Sequence, residues 1–569
     1  MRQPIALALL WLGRFRPGDW QRTLAWAGVV GVTGALATLG FRAALAEIES
    51  LLYGTGGGLV RAAQSLPWWM RLLAPVVGGA LAGTVLAIAR RLPSRSPHGD
   101  YMEAIVLGRG ELPVANSLWR ALSSACTVAS GGAIGREGPM VQLAALTGSL
   151  LGRWRTMAVA RRRLLVACGA AAGLTTAYGA PVAGALFIAE IVLQSLATET
   201  LAPLLFASVC AHATVAAITG SQPLYRMAAV PPLDTQVLLA SGALGVVAGL
   251  GAPLYLGLLD AAKRTFAAWT AALPWKLAAG GLVVGVISVQ APQVWGNGFS
   301  VVNGILQGGW AWQALLLILA LKVLAVAATT GSGAVGGIFT PTLFVGAASG
   351  GLFALAAGAL LPHALPMPAG AAIGMGAFLA ACTHAPLTSV LMVFEMTENY
   401  TVVAPLMLAC VLAYSVSRLL RPESIYASSQ RAKAATDPRV ATARDLMRPE
   451  SVTVRPGDSI ATLEARLLES RWRHVYVVDA QGHFAGAIAM HDLAGLLKVP
   501  HEDNGPWPAT LLKADYPRLA LDMPLWEVLQ VFEAHPGERL PVLDASGRLA
   551  GHVAKTDLVL MLRDRLAIG

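Results

Sequence analysis

The 569-residue chain is only 13% charged and is 55% hydrophobic, with a mean hydropathy of +0.60. A globular chain has about a quarter of its residues charged, so this balance excludes a single compact soluble domain. The net charge of +10 would suggest nucleic acid on a soluble protein. Here the arginines cluster beside apolar stretches (Arg14, Arg16, Arg22; Arg90, Arg91, Arg95; Arg153, Arg155, Arg161 to Arg163), where loop charge sets membrane orientation.

In chain order, residues 1–23 read as a cytoplasmic lead-in. The apolar run Ile5–Leu12 is followed by Arg14 and Arg16 without a small-residue cleavage site, so it is not a signal peptide. Residues 24–426 form a polytopic α-helical membrane region. Its segments Trp26–Leu45, Leu72–Ala89, Val237–Leu258, Ala311–Ala328 and Val402–Val416 are near or above spanning length. The five cysteines, 126, 168, 210, 382 and 410, all lie in apolar segments and read as small packing residues.

The chain also resembles itself. Arg120–Pro139 aligns without a gap on Lys322–Pro341, matching Arg120 with Lys322, Thr127 with Thr329, Ser130-Gly131 with Ser332-Gly333, and Pro139 with Pro341. A second match, shifted by three residues, pairs Gly169, Ala180-Pro181 and Glu190 with Gly374, Ala385-Pro386 and Glu395. The halves are about 24–220 and 221–426. Repeated halves in a membrane chain place a site where they meet, whether they are inverted or parallel.

Each half interrupts its apolar run at the same place, with glycines followed by Pro139 or Pro341. Glycine weakens a helix, and proline is tolerated in the first turn of a new one. Broken backbone at membrane depth survives only beside protein or a water-filled cavity. Two helix N-termini therefore face one polar spot, where free N–H groups and the helix dipoles favour an anion. Glu137, in Gly135-Arg136-Glu137-Gly138-Pro139, stands where that anion would sit and must protonate or swing away to let it pass. The alternative is a carboxylate that merely caps the helix. For Glu190 and Glu395 structural hydrogen bonding is at least as strong a reading as transport.

Gly135-Arg136-Glu137-Gly138-Pro139, Gly336-Gly337-Ile338-Phe339-Thr340-Pro341 and Tyr426 together resemble the motifs of the CLC chloride channel and transporter family. The resemblance implies a homodimer with one anion pathway per subunit and inverted repeats within each. It implies Glu137 as the gating glutamate, with Gly135, Arg136 and Gly138 around the anion, although Arg136 more plausibly holds the loop than touches the ion. The backbone N–H groups of Ile338 and Phe339 are the implied anion donors and the Tyr426 hydroxyl an inner ligand. Two departures stand out. The stretch Ser96-Pro97-His98-Gly99-Asp100-Tyr101-Met102-Glu103 replaces the family's Gly-Ser-Gly-Ile-Pro, so the serine on the central anion has no counterpart. Proton-coupled members carry an inner glutamate directly after the position of Glu190, where this chain has Ile191.

After Tyr426, a basic linker (427–441, with Arg431, Lys433 and Arg439) leads into two similar α/β units, 442–498 and 509–565. Val475–Asp479 and Gly486–Asp492 in the first match Leu540–Asp544 and Gly551–Asp557 in the second, and short β-branched strands alternate with helical patterns. The pair resembles a tandem CBS module, which implies adenine nucleotide as a possible ligand, with Asp492 and Asp557 at the ribose positions. The Ser or Thr usual three residues earlier is Ala489 or Ala554. The reading is a passive, glutamate-gated, voltage- or pH-dependent chloride channel in the cell inner membrane, with a cytoplasmic tail, lipid around it, chloride as its bound ion and no enzyme activity or metal. The rival is a proton-coupled chloride antiporter. A CBS-regulated divalent-cation transporter would require clustered intramembrane carboxylates, and the apolar runs hold chiefly Glu137, Glu190 and Glu395.

Overall fold

The computed structural model describes residues 19–54, 58–91, 100–106, 108–220, 222–228, 234–360, 365–426, 442–449, 451–470, 473–496, 505–535 and 537–558. Most of the N-terminal lead-in, Ser96–Gly99 and the 427–441 linker lie outside them. The chain divides into two compact units, 1–429 and 430–569.

The first unit is helical throughout, as lipid demands when every backbone polar group needs an internal partner. Its first half comprises α1 (Asp19–Tyr53), α2 (Leu59–Ser65), α3 (Trp68–Arg91), α4 (Tyr101–Val106), α5 (Val114–Ala129), α6 (Glu137–Trp154), α7 (Val159–Tyr178), α8 (Pro181–Phe187, continued as a π-helical turn Ile188–Leu193) and α9 (Thr198–Thr219). The second comprises α10 (Thr235–Ala268), α11 (Leu273–Gln290), α12 (Phe299–Leu306), α13 (Trp312–Gly331), α14 (Phe339–Leu360), α15 (Met367–Thr383), α16 (Pro386–Thr397) and α17 (Val403–Leu420). Eight helices among the described residues are long and apolar enough to cross a membrane. Helices α1 and α10, with 35 and 34 residues, are longer than a hydrocarbon core of about 30 Å, so they tilt or project beyond it. Leu254, Leu317 and Val286, exposed on spanning helices, face outward.

The self-similarity extends further than the motifs. Helices α3 and α11 cross through glycines at equivalent positions: Gly79 lies against the Leu277 carbonyl and Gly281 against that of Pro75, with no room for a Cβ at either. From Pro75 to Gly83 along α3, the neighbours on α11 run backwards from Gly281 to Pro274. Two equivalent spanning helices that pack antiparallel cross the bilayer in opposite directions, so the repeats are inverted. The same exchange recurs at Gly135 and Gly337, which donate N–H to each other's carbonyl at 2.8 Å in an antiparallel bridge.

The tail holds two three-stranded sheets of one topology. They are β1 (Thr453–Val454), β2 (His474–Val478), β3 (Phe484–Ala489) and β4 (Leu519–Ala520), β5 (Arg539–Leu543), β6 (Leu549–Ala554). In each sheet the first pair is parallel and the second antiparallel, with His474 opposite Ala489 and Arg539 opposite Ala554. Each hairpin loop is closed by an aspartate. Asp479 accepts from the N–H of His483 (2.8 Å) and Gln481 (2.9 Å), and Asp544 from the N–H of Ser546 and Arg548, both at 2.9 Å. These bonds, led by that of the His483 N–H and by the Ser546 hydroxyl, hold both carboxyls below their usual value. Helices α18 (Ala443–Leu446), α19 (Ile460–Ser470), α20 (Met490–Leu496) and α21 (Leu525–Ala534) complete the pair. Within the tail, the opening of the first sheet's half packs on the second half: Ala443 N donates to Met523 O (2.9 Å), and Arg448 bridges His552. The two halves of the tail are thus interleaved and not strung in order.

Candidate anion pathway

Both helix breaks fall where the glycines and prolines predict. Helix α5 ends at Ala129 and α6 starts at Glu137, while α13 ends at Gly331 and α14 starts at Phe339. Pro139 and Pro341 both sit in the first turn of the new helix, where a missing donor costs nothing. The Gly135–Gly337 bridge brings the two N-termini together.

Glu137 is the first residue of α6 and is 6% exposed. Its Oε1 accepts from the Thr340 hydroxyl at 2.6 Å and from Asn297 Nδ2 at 3.2 Å. Oε2 is buried without a hydrogen-bond partner among the described residues. It lies against the backbone of Gly135 and Gly337, where a Cβ at Gly135 would collide with it. The carboxylate of one half thus points at the second residue of α14, the helix N-terminus of the other half. A buried carboxylate is tolerable there because the free N–H groups and dipole of a helix start favour negative charge. An anion in that place would find the same donors.

Ile338 precedes α14 and Phe339 begins it. The Ile338 carbonyl accepts from Thr342 N at 3.1 Å, so it turns into the helix and leaves the amides at the open end. The Phe339 ring packs on Tyr178 (centroids 5.0 Å) and Phe187 (5.7 Å), and Phe187 packs edge-on against Tyr426 (5.7 Å). This aromatic chain links the start of α14 to Tyr426. A cavity of about 50 Å³ is lined by Glu137, Arg136, Tyr178, Tyr225, Asn297 and Thr340. It has room for a few water-sized particles. Beyond it lies a cavity of about 840 Å³, with Glu49, Arg61, Gln64, Arg136 and Asn297 on its walls.

One expected contact fails. Gly135 donates its N–H to Gly337, so it supplies close approach and not an anion donor. Gly138 lies in the first turn of α6, and Arg136 is its N-cap residue. Tyr101, within the stretch that replaces Gly-Ser-Gly-Ile-Pro, is buried, and its N–H donates to Gln142 Oε1 at 2.9 Å.

Glu190 and Glu395 form a reciprocal pair of caps. Glu190 accepts from Leu387 N (3.4 Å), Thr388 N (2.8 Å) and the Thr388 hydroxyl (2.6 Å) at the start of α16. Glu395 accepts from Val182 N (3.0 Å) and Ala183 N (2.8 Å) at the start of α8. Both carboxylates therefore hold the two halves together. Ile191 is 3% exposed, within the π-helical turn.

Thr340 and Asn297 were not singled out by sequence reasoning. Thr340 lay inside the quoted motif as its one unassigned polar residue, whereas Asn297 sits in a Gly-Asn-Gly turn with no signal of its own. In the tail, Asp557 is held by Arg448 through Nε–Oδ2 at 3.0 Å and a second guanidinium contact. Asp492 pairs with Lys513 at 2.8 Å and His491 at 3.0 Å. Both candidate ribose ligands are already engaged by cations.

A family model described as voltage gated chloride channel matches residues 78–418, and one described as CBS domain matches 443–499 and 511–564. A ClcB-like protein of Ralstonia nicotianae is 51% identical over 409 residues, covering 71% of this chain and 95% of the relative. The ClC-type chloride channel ClcB of Citrobacter koseri is 41% identical over 410 residues, covering 71% and 98%. Among solved structures, a slow cyanobacterial Cl⁻/H⁺ antiporter superposes with a TM-score of 0.64 at 27% identity, covering 73% of this chain and 98% of the other. A eukaryotic CLC transporter superposes with a TM-score of 0.62 at 19% identity over 94% of this chain and 98% of its own, which speaks to the fold alone. The convergence of two inverted helix N-termini on Glu137 is thus framed by a match that covers most of the membrane region, and the chain belongs to the voltage-gated chloride channel (CLC) family, with a tandem pair of CBS domains behind its membrane region.

Proposed function

We propose that the chain is a passive chloride channel whose gate is the Glu137 side chain. The observation that carries the passive mechanism is the buried aliphatic Ile191 at the position of the inner glutamate. An aliphatic side chain holds no proton, and an apolar route without a titratable group is costly for one. Glu190, the nearest alternative acceptor, is engaged by three donors at the start of α16 and so is poorly placed to shuttle protons. The gate reading rests on the buried Glu137 carboxylate, held by Thr340 and Asn297 at the N-terminus of α14. Ile338, Phe339 and Gly138 are proposed to offer backbone N–H groups to the anion, and Tyr426 to meet it at the inner end. The bound site must favour entry without trapping the ion, and backbone dipoles do so without a fixed cation in contact.

Proton-coupled exchange is the second reading, favoured by the likeness to the cyanobacterial Cl⁻/H⁺ antiporter. Vesicles loaded with chloride and diluted into low-chloride, weakly buffered medium separate the two. A channel releases chloride without moving the external pH once the membrane voltage is clamped by an ionophore; an exchanger takes up protons with each turnover. Sustained proton uptake would overturn the proposal. We further propose a homodimer with one pathway per subunit in the cell inner membrane, with the CBS pair on the cytoplasmic side as a dimer-stabilising regulatory module. Adenine nucleotide at Asp492 or Asp557 would have to displace Lys513 or Arg448, which argues for weak binding at most.

A further inference from the structure

Lys322 on α13 is wholly buried, although its equivalent Arg120 is partly exposed and faces Asp100. Its ammonium donates to the carbonyls of Val294 (2.7 Å) and Gly296 (2.6 Å), with the Phe344 ring 5.7 Å away. Those carbonyls belong to the segment just before Asn297, the residue whose amide reaches Glu137 Oε1. Gly296 N in turn donates to Gly131 O, at the end of the first half's broken helix. A buried ammonium is costly unless its donors are satisfied, and here backbone carbonyls satisfy two of three.

We propose that Lys322 is a positioning residue for the gate: by clamping the Val294 and Gly296 carbonyls it aims Asn297 at the Glu137 carboxylate and so stabilises the closed state. The proposal rests on Glu137 being the gate. The charged and titratable groups around that carboxylate are Arg136 on its own turn, Tyr178 from α7, Tyr225 from the loop before α10, and Tyr426, with Glu49 and Arg61 across the larger cavity. Among the described residues none of them hydrogen-bonds to the carbonyls that Lys322 holds, so the effect of Lys322 passes through Asn297.

The test is chloride efflux from vesicles reconstituted with full-length protein, measured from pH 5 to 8. Asn297→Leu and Lys322→Met should each raise efflux at pH 7.5 by about tenfold to a hundredfold and flatten the pH profile, as loss of one hydrogen bond to a charged group predicts. The double variant should match the single ones, because both remove the same contact. Lys322→Gln keeps two donors without the charge and should gate nearly as the parent does; it also carries the comparison if Lys322→Met fails to fold. Additive effects in the double variant, or a Lys322→Gln as altered as Lys322→Met, would overturn the proposal and leave Lys322 as a buried charge alone. Glu137→Gln separates the two levels. If it retains the parent pH profile, the gate reading itself fails; if it loses that profile while the Lys322 and Asn297 effects add, only the positioning role fails.

Discussion

Replacing Thr340 with valine keeps the shape of the side chain and removes the hydroxyl that donates to Glu137 Oε1 at 2.6 Å. The same hydroxyl is 3.3 Å from the Tyr178 hydroxyl, so the change also frees that ring from the gate. A hydrogen bond to a charged acceptor contributes about 1.5–3 kcal/mol, and this one is short and buried. The closed state of the gate should therefore lose a factor of about 10 to 100 against the open state. Thr340 is wholly inside the membrane unit and its methyl is retained, so folding should be little affected. Chloride efflux at pH 7.5 should rise steeply and approach the rate that acid gives in the parent protein. Single-channel recording would show this as a higher open probability at unchanged unitary conductance. A Thr340→Val protein that folds normally and shows the parent open probability at every pH would mean that the Glu137–Thr340 contact does not hold the gate.

Glu137→Ala should leave a folded protein with chloride flux that no longer depends on pH, because no carboxyl remains to compete with the anion; an unchanged pH profile would reduce Glu137 to a helix cap. Glu190→Gln should lower thermal stability by about 1–2 kcal/mol, since an uncharged amide accepts less strongly from Leu387 N, Thr388 N and the Thr388 hydroxyl, with ion selectivity unaltered. A change in proton coupling in that variant would assign Glu190 to transport. Truncation after about residue 436 should leave an anion-permeable core, because the hydrogen-bond partners of Glu137 all precede Tyr426. Loss of flux from a folded, truncated dimer would place part of the pathway in the tail.

Much of this molecule was legible in the sequence, for identifiable reasons. Proline and glycine constrain backbone directly, so the helix starts at Glu137 and Phe339 follow from Pro139, Pro341 and the glycines before them. The matching of Glu190 with Glu395 marked the reciprocal caps, though not their partners, because the donors are backbone amides in the other half. The antiparallel crossing of α3 and α11 was not read. It is written in glycines alone, which are too common in this chain to stand out. Asn297 and Lys322 were missed for a related reason: each acts on a residue far away in sequence, and neither spacing nor periodicity reports such contacts. In the tail the likeness of the two halves was legible from the paired motifs. The packing of Ala443–Arg448 on the second half of the tail was not, because it depends on how two similar halves are connected.

The central claim is passive chloride conduction through a pathway with no inner proton acceptor, and a reversal potential tests it most directly. In a planar bilayer with a tenfold chloride gradient and symmetric pH, a chloride-selective channel should reverse at about 59 mV in magnitude. Imposing a pH gradient of two units across the same bilayer should leave that value where it was. A reversal potential that moves consistently with the proton gradient would contradict the account and establish coupled exchange.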